Sequence, residues 1–293
     1  MEASAPRGFV YVATGDRYRG EAAVSAARLR QVHPGERICL VTDRAAGTPF
    51  WDDLVLLEQP IFGLRDKIWM HRCPYADFIF LDTDTHVVAP LDEVFQLLEH
   101  FDGAGHQLFE GHDSPIPGVP DAFPEFNTGV LAFRRSPAVA ALFEDWRRHY
   151  DAFRAPDRPD RDVYANVTDQ KSFRLAVYAS RLRIAILGPE YNFTPANVNL
   201  ACATVRVLHG RGDDFTAFAE RINAQLGGRV YHPTLDVILQ VPTRGPELRR
   251  LWLRATAQLL RRVGVACTPL ALRNALRRSR GVRHFFLGGR FGP

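Results

Sequence analysis

Five short stretches of the sequence are continuously apolar, with no alternation between apolar and polar positions. A strand that is covered on both faces has this continuous apolar pattern, so these stretches predict buried strands of a parallel sheet. They are residues 9–13, 38–41, 78–81, 129–133 and 184–187. Residues 55–57 and 204–209 are further, weaker strand candidates.

Between these runs, apolar residues recur at helical spacing and predict helices at residues 21–31, 64–72, 91–100, 137–150 and 172–179. Strand, helix and strand near the start of the chain form a βαβ unit, which joins parallel strands by a right-handed crossover. Residues 103–123 are rich in Gly, Pro and Asp and predict a long loop. We therefore expect an α/β domain, with a mostly parallel sheet flanked by helices, over residues 1–239.

Two carboxylates follow the apolar run at residues 78–81 directly. Asp82 and Asp84 are separated by Thr83, so both side chains can point the same way from an extended segment. Ligand sites of parallel sheets gather beyond the carboxyl ends of the strands. A hard divalent cation would relieve the repulsion between the two carboxylates, although a solvated turn would show the same three residues.

Charge is distributed unevenly along the chain. Residues 240–293 hold twelve Arg and one Glu, a net charge of +11, which leaves −7 for residues 1–239 because the whole chain carries +4. Residues 1–239 therefore do not fit a uniformly basic nucleic-acid binder, and no nucleic-acid partner is expected for this domain. The four Cys form no Cys-x-x-Cys pair and imply neither zinc nor disulfides. No apolar run approaches the roughly 18 residues that span a bilayer, and no leader pattern is visible, so we expect a cytoplasmic protein.

Further polar residues follow the acidic pair in a specific order. Asn127 stands beside the strand at 129–133, Asp169 and Gln170 begin a helix, and His209 ends the last strand. With the acidic pair, this order resembles the glycosyltransferases of family 8, the glycogenin-like and galactosyltransferase-type enzymes with the GT-A nucleotide-sugar fold. The resemblance covers about residues 9–215. It implies a GT-A-like (Rossmann-like) domain that moves a hexose from a UDP-sugar to an acceptor with retention of configuration.

The resemblance also implies a role for each matching residue. Asp82, Asp84 and His209 would hold Mn²⁺ or Mg²⁺. The nucleotide-binding positions would be Val12, Ala13, Thr14, Tyr18, Asp43 and Thr83, with Tyr18 placed to stack on uracil. Lys67 would contact the donor sugar or phosphate, and Asn127, Asp169 and Gln170 would bind the donor sugar. Arg211 stands near the place of a diphosphate-binding lysine that the family has six residues after its metal histidine and that this chain lacks.

Two other functions compete with this interpretation. Haloacid-dehalogenase-like phosphatases also carry Asp-x-Asp at a strand end, but they favour Thr or Val four residues after the first Asp, where this chain has His86. A catalytically inactive GT-A-fold binding protein is the other alternative. An inverting transferase would need a carboxylate base on the acceptor side, for which Asp113, Asp121 and Glu125 are candidates.

The last part of the chain, residues 240–293, predicts a basic helical tail. Within residues 246–264, one helical stripe is apolar, formed by Leu248, Trp252, Ala255, Leu259 and Val263, and three arginines lie opposite. Such a segment favours either peripheral contact of residues 246–293 with a membrane surface or packing on the main domain or a partner, and contact of the tail with nucleic acid or another acidic ligand is the third alternative. The acceptor is expected to be a carbohydrate, a lipid-linked molecule or a small molecule.

Overall fold

The computed structural model describes residues 6–45, 50–108, 116–154, 169–212 and 214–241. The predicted tail therefore lies outside the described residues from residue 242 onward. The strands are β1 (Arg7–Ala13), β2 (Arg37–Thr42), β3 (Asp53–Leu56), β4 (Asp77–Leu81), β5 (Thr85–Val87), β6 (Gly103–Gln107), β7 (Phe126–Arg134), β8 (Ile184–Leu187), β9 (Asn199–Ala201), β10 (Val207–His209), β11 (Arg229–His232) and β12 (Val237–Gln240). The helices are α1 (Asp16–Val32), α2 (Asp92–Leu97), α3 (Pro137–Phe153), α4 (Asp169–Ala179) and α5 (Phe215–Asn223), with 3₁₀ helices at Leu64–Arg72 and Pro189–Tyr191.

Seven strands form the central sheet in the order β3-β2-β1-β4-β7-β6-β8. All neighbouring pairs are parallel except those of β7, which runs antiparallel to β4 and β6. The side chains of β4 show why its sequence does not alternate between apolar and polar residues. Phe78 and Phe80 pack into the core on one face of the sheet, and Ile79 and Leu81 pack into the core on the other.

Helices cover both faces of this sheet. Helices α1 and α2 pack on one face through residues such as Leu29 and Phe95. The 3₁₀ helix Leu64–Arg72, α3 and α4 pack on the opposite face, where Trp146 is fully buried. The predicted α/β architecture, a mostly parallel sheet flanked by helices, is confirmed. In the described part of the chain, no helix combines the length and the apolar character needed to cross a bilayer.

The predicted loop at residues 103–123 was wrong at its start, because Gly103–Gln107 is strand β6. Its composition has little intrinsic preference for a strand, and packing decides the outcome. A Cβ atom on Gly103 would lie 2.7 Å from the Phe133 ring, and one on Gly105 would lie 3.1 Å from Phe126. The aromatic side chains of β7 occupy the space that side chains on β6 would need, so the glycines fit a strand that sequence preference disfavours.

Two smaller sheets complete the fold. Strands β5 and β10 pair antiparallel, with Thr85 opposite His209. Strands β12, β11 and β9 form a three-stranded antiparallel sheet that packs with α5 around Phe193, Phe218 and Tyr231. The first of these pairings matters most for function, because it carries the end of β10 to the end of β4.

Candidate metal and nucleotide site

The acidic pair lies in a tight turn between β4 and β5. The backbone N–H of Asp82 donates to Gly129 O at 2.8 Å, and both the N–H and the hydroxyl of Thr85 donate to Asp82 O. The register of β5 with β10 then places His209 beside this turn. The backbone N–H of Gly210 donates to Asp84 O at 3.0 Å and holds the other side of the turn in place.

The side chains of Asp82, Asp84 and His209 converge on one point. His209 Nε2 lies 3.7 Å from Asp82 Oδ2 and 3.4 Å from Asp84 Oδ1. One donor atom from each of the three residues lies within 4.8 Å of the others. Two carboxylates with one imidazole suit a divalent cation such as Mn²⁺, and the carboxylates also suit Mg²⁺. The donor set therefore fits the predicted metal.

Room for the His209 ring depends on Gly129 of the neighbouring strand β7. A Cβ atom at Gly129 would lie 2.2 Å from His209 Cε1 and 2.5 Å from Nδ1, so any larger residue there would displace the ring. The His209 Nδ1 atom is buried without a hydrogen-bond partner in the described structure. Steric contact with the backbone of β7, together with the strand register, therefore holds the ring.

Lys67 forms the inner end of the site. Its ammonium group donates to Asp82 Oδ2 at 2.8 Å and lies 3.1 Å from Asp169 Oδ2, with the Thr128 hydroxyl at 3.3 Å. The lysine side chain is 11% exposed, and that of Asp169 is 4% exposed. Burial opposes the charge on Lys67, but the two carboxylates more than offset it and raise its pKa. Lys67 is thus a permanent buried cation at neutral pH.

Arg211 forms the outer end. Its guanidinium donates to both carboxylate oxygens of Glu21, at 3.1 and 3.0 Å, and lies 3.4 Å from Asp84 Oδ2. Thr83 also donates to Glu21, at 3.1 Å. Burial works against ionisation of Asp84, but His209 and Arg211 prevail and lower the pKa of Asp84 to about 2. Asp84 is therefore ionised at neutral pH and ready to ligate a cation.

The three candidate ligands, Lys67 and Arg211 line one open cleft of about 320 Å³. Nine of the residues predicted from the sequence lie along it: Val12, Thr14, Tyr18, Lys67, Asp82, Thr83, Asp84, His209 and Arg211. Tyr18 is 40% exposed, in the first turn of α1. Because the cleft opens at the carboxyl ends of β1 and β4, it lies where parallel sheets bind ligands.

The other predicted residues do not line this cleft. Ala13 packs in the core, and Asp43 accepts from the Gly15 N–H at 2.8 Å and pairs with Arg19. Asp169 lies behind Lys67, as described above. Asn127 accepts from the Gly129 N–H at 2.9 Å. The Gln170 Oε1 atom is buried and has no hydrogen-bond partner in the described structure.

Three polar residues of the site were missed from the sequence. Asp66 lines the cleft, is 2% exposed, and accepts from the Thr14 hydroxyl and from the backbone N–H groups of Ile61 and Phe62. Glu21 binds Arg211, and Thr128 donates to Asp169. None of the three stands at a strand end with a second acid nearby in the sequence, so their roles emerge only from the tertiary structure.

The structure describes two of the three candidate bases for inversion. Asp121 is exposed and Glu125 is buried, whereas Asp113 lies outside the described residues.

Comparison with known proteins gives fold-level likenesses alone. No protein-family model and no curated protein matches the chain. Among solved structures, galactosyltransferase LgtC in complex with donor and acceptor sugar analogues is 18% identical, over 74% of this chain and 94% of its own, with a TM-score of 0.48. The glycosyltransferase GlyE of Streptococcus pneumoniae TIGR4 is 15% identical over 71% and 56%, with a TM-score of 0.47.

A third likeness is to mouse xyloside xylosyltransferase 1, at 14% identity over 70% of this chain and 98% of that one, with a TM-score of 0.44. At this level of identity and superposition, these likenesses establish neither a family nor an activity for the chain. The functional argument therefore rests on the site itself.

Proposed function

We propose that this chain is a metal-dependent glycosyltransferase that moves a hexose from a UDP-sugar to an acceptor, with retention of configuration. The observation that carries the proposal is the convergence of Asp82, Asp84 and His209 on one point of the cleft at the carboxyl ends of β1 and β4. Asp-x-Asp at a strand end, the later histidine and the intervening polar residues are the features that resemble family 8, with its GT-A fold.

The three candidate ligands would hold Mn²⁺ or Mg²⁺ at the donor diphosphate. When bound, the cation would neutralise the charge that builds on the diphosphate as the sugar departs. Arg211 presents a second positive charge beside the three candidate ligands. Its planar guanidinium can bind two phosphate oxygens at once. Its contact with Glu21 holds that guanidinium in place before the ligand arrives.

We assign the other predicted residues either to binding the nucleotide or to binding the donor sugar. Val12, Ala13, Thr14, Tyr18, Asp43 and Thr83 are assigned to the nucleotide, with the exposed ring of Tyr18 stacking on the base. Lys67, Asn127, Asp169 and Gln170 are assigned to the donor sugar and its phosphate. The unpartnered Oε1 atom of Gln170 supports this assignment, because a sugar hydroxyl would satisfy a buried acceptor that otherwise costs free energy.

The acceptor is proposed to be a carbohydrate, a lipid-linked molecule or a small molecule, and the enzyme to work in the cytoplasm. These two points rest on the sequence alone.

The phosphatase alternative fits the charges of the site less well. That chemistry uses the first Asp as nucleophile and the second as an acid/base, and in its acid step the second Asp must carry a proton near neutral pH. Here the pKa of the second residue, Asp84, is lowered to about 2. Asp82 is also paired with Lys67 and lies 3.7 Å from His209, an arrangement suited to a ligand.

The test is a panel of nucleotide sugars incubated with the full-length chain in Mn²⁺, in Mg²⁺ and in EDTA, with UDP release and product anomers followed by NMR. We expect metal-dependent release from a UDP-hexose and a product with the anomeric configuration of the donor. An inverted product would remove the retaining assignment. Absence of both hydrolysis and UDP binding would favour the inactive binding protein.

A phosphatase would behave differently in a parallel assay. It would hydrolyse a phosphate monoester and form a covalent aspartyl phosphate that the Asp82→Asn substitution abolishes. We expect no such intermediate.

A further inference from the structure

Residues 61–64, which we call the strap, are apolar and border the cleft. Gly63 and Leu64 line the cleft, and the side chains of Ile61, Phe62 and Leu64 are 51%, 59% and 45% exposed. A single apolar side chain on a surface needs no explanation. Three within four residues, directly beside a ligand-sized cleft, are typical of a surface that binds something.

The backbone of the strap is strained at Phe62. The φ angle of this residue is 56°, in the left-handed region that bulky side chains rarely adopt. Among the described residues other than glycine, Asp236 alone shares a positive φ, and aspartate tolerates it because its short side chain can hydrogen-bond locally. A glycine would adopt this conformation without strain. Strained residues persist where the surrounding structure enforces them, and they are concentrated at ligand sites.

The buried carboxylate of Asp66 enforces the conformation of the strap. Asp66 is 2% exposed and accepts from the backbone N–H of Phe62 at 2.8 Å and from that of Ile61 at 3.0 Å. The same carboxylate accepts from the Thr14 hydroxyl at 2.9 Å, and Thr14 lines the cleft just beyond β1. The strap is therefore tied to the end of β1, and Phe62 is held in its exposed position.

The Phe62 ring lies against the turn between β1 and α1. Its Cδ1 atom is 3.8 Å from the position that a Cβ atom on Gly15 would occupy. Gly15 stands between Thr14 and Tyr18, which both line the cleft, and the exposed Tyr18 ring lies in the first turn of α1. Two exposed aromatic rings from different elements therefore border the same part of the cleft. Such rings can stack on any nucleobase, because every base presents a π face.

We propose that Phe62 is a second base-binding residue, which packs on the nucleobase of the donor nucleotide together with Tyr18. This inference rests on the proposed function, because it takes the ligand of the cleft to be a nucleoside diphosphate. The two rings would hold the flat base, and the candidate metal ligands would hold the diphosphate through the cation. Asp66 is a positioning residue, because its carboxylate already accepts from Thr14 and from the strap.

The experiment compares binding of UDP and of inorganic pyrophosphate to the full-length chain by calorimetry in Mn²⁺. Pyrophosphate carries the diphosphate without a base, so it separates contact with the base from effects on the metal site. The variants are Phe62→Ala, Phe62→Gly and Phe62→Tyr. The matched control is Leu226→Ala, because Leu226 is 66% exposed and lies between α5 and β11, outside the cleft lining. Thermal unfolding of each variant is measured without ligand.

We expect Phe62→Ala and Phe62→Gly to weaken UDP binding by about tenfold, as the loss of one base–aromatic stack does, and to leave pyrophosphate binding unchanged. Phe62→Tyr keeps the ring and should bind UDP as the wild type does. The melting temperature of Phe62→Gly should not fall, because glycine adopts the left-handed conformation without strain and the lost side chain is mostly exposed. The control should leave UDP affinity unchanged.

Equal UDP affinity in the wild type and in Phe62→Ala would overturn this inference and leave the proposed function standing. Equal losses of UDP and pyrophosphate affinity would also overturn it, because Phe62 would then act through the metal site. A lower melting temperature of Phe62→Gly would make Phe62 a packing residue and would have the same consequence. A wild-type chain that does not bind UDP would instead remove the proposed function, and this inference with it.

Discussion

The inner end of the cleft, around Lys67, and the outer end, around Arg211, handle charge in opposite ways. Lys67 is 11% exposed and is enclosed by Asp82 and Asp169, so its charge belongs to the folded structure. Arg211 is 53% exposed and reaches across the mouth to Glu21 and Asp84. Removing one partner of a buried ion pair is expensive, whereas an exposed pair contributes little to stability. Substitution at the inner end should therefore affect stability strongly, whereas substitution at the outer end should mainly affect ligand binding.

The largest effect is expected at the inner end. The Lys67→Met substitution leaves Asp82 and Asp169 buried without their cation and should lower the free energy of unfolding by about 3–5 kcal/mol. Urea denaturation in metal-free buffer measures it. Arg65→Met is the matched control, because Arg65 lies on the same 3₁₀ helix and pairs with an Asp151 side chain that is 43% exposed. It should cost at most about 1 kcal/mol. Equal losses would remove the distinction between the two ends.

A substitution in the acidic pair should lower activity strongly and change stability only slightly. The Asp84→Asn substitution removes a candidate ligand and should lower metal-dependent UDP release by at least about 100-fold, since even residues behind the ligands cost 10- to 100-fold. The melting temperature without metal should change by only a few degrees, because Asp84 pairs at the open side of the site. Asp145→Asn, an exposed carboxylate on α3, should change neither quantity. A large loss of stability with activity retained would contradict the metal assignment.

Two glycines offer a comparison between metal binding and packing. Gly129→Ala places a methyl group against the His209 ring and should weaken Mn²⁺ binding by about tenfold. Gly105→Ala meets Leu131 and Phe126 instead, so it should lower the melting temperature and leave Mn²⁺ affinity nearly unchanged. Calorimetric Mn²⁺ titration and thermal unfolding of both variants provide the check. Similar Mn²⁺ affinities for the two would show that Gly129 does not control the His209 position.

The smallest effect is expected at the outer end. The Glu21→Gln substitution loosens the contact that orients Arg211 and should raise the KM for the donor by about threefold to tenfold, with kcat nearly constant. Steady-state kinetics of donor hydrolysis measures the two constants. Glu36→Gln, which alters the exposed pair with Arg7, is the control. A fall in kcat at unchanged KM would assign Glu21 a different role.

Sequence reasoning reached the fold where a local pattern was strong. The apolar run of β4 predicted a strand covered on both faces because each of its side chains packs into a core. The run of β8 matched the observed strand end to end. Strand β6 was missed because it depends on the packing of Gly103 and Gly105 against aromatic side chains on β7. Packing between distant residues leaves no pattern in the local sequence.

The same distinction applies to the site. Asp82 and Asp84 were visible because a strand delivers both carboxylates to one sheet edge. His209 was predicted as a ligand only through the family resemblance, because its approach depends on the β5–β10 pairing, which the sequence did not predict. Asp66 and Glu21 were not visible at all, because an acidic residue in a predicted helix ordinarily faces solvent. Here the neighbouring elements fold over them.

The central claim is that Asp82, Asp84 and His209 hold a divalent cation to which the nucleotide diphosphate binds. Calorimetric titration of UDP into the wild-type chain, in Mn²⁺ and in EDTA, tests it most directly, with Asp84→Asn titrated in parallel. We predict that EDTA weakens UDP binding to the wild type by at least about tenfold and that the variant shows little dependence on Mn²⁺. Equal UDP affinity of the wild type in Mn²⁺ and in EDTA would contradict the claim.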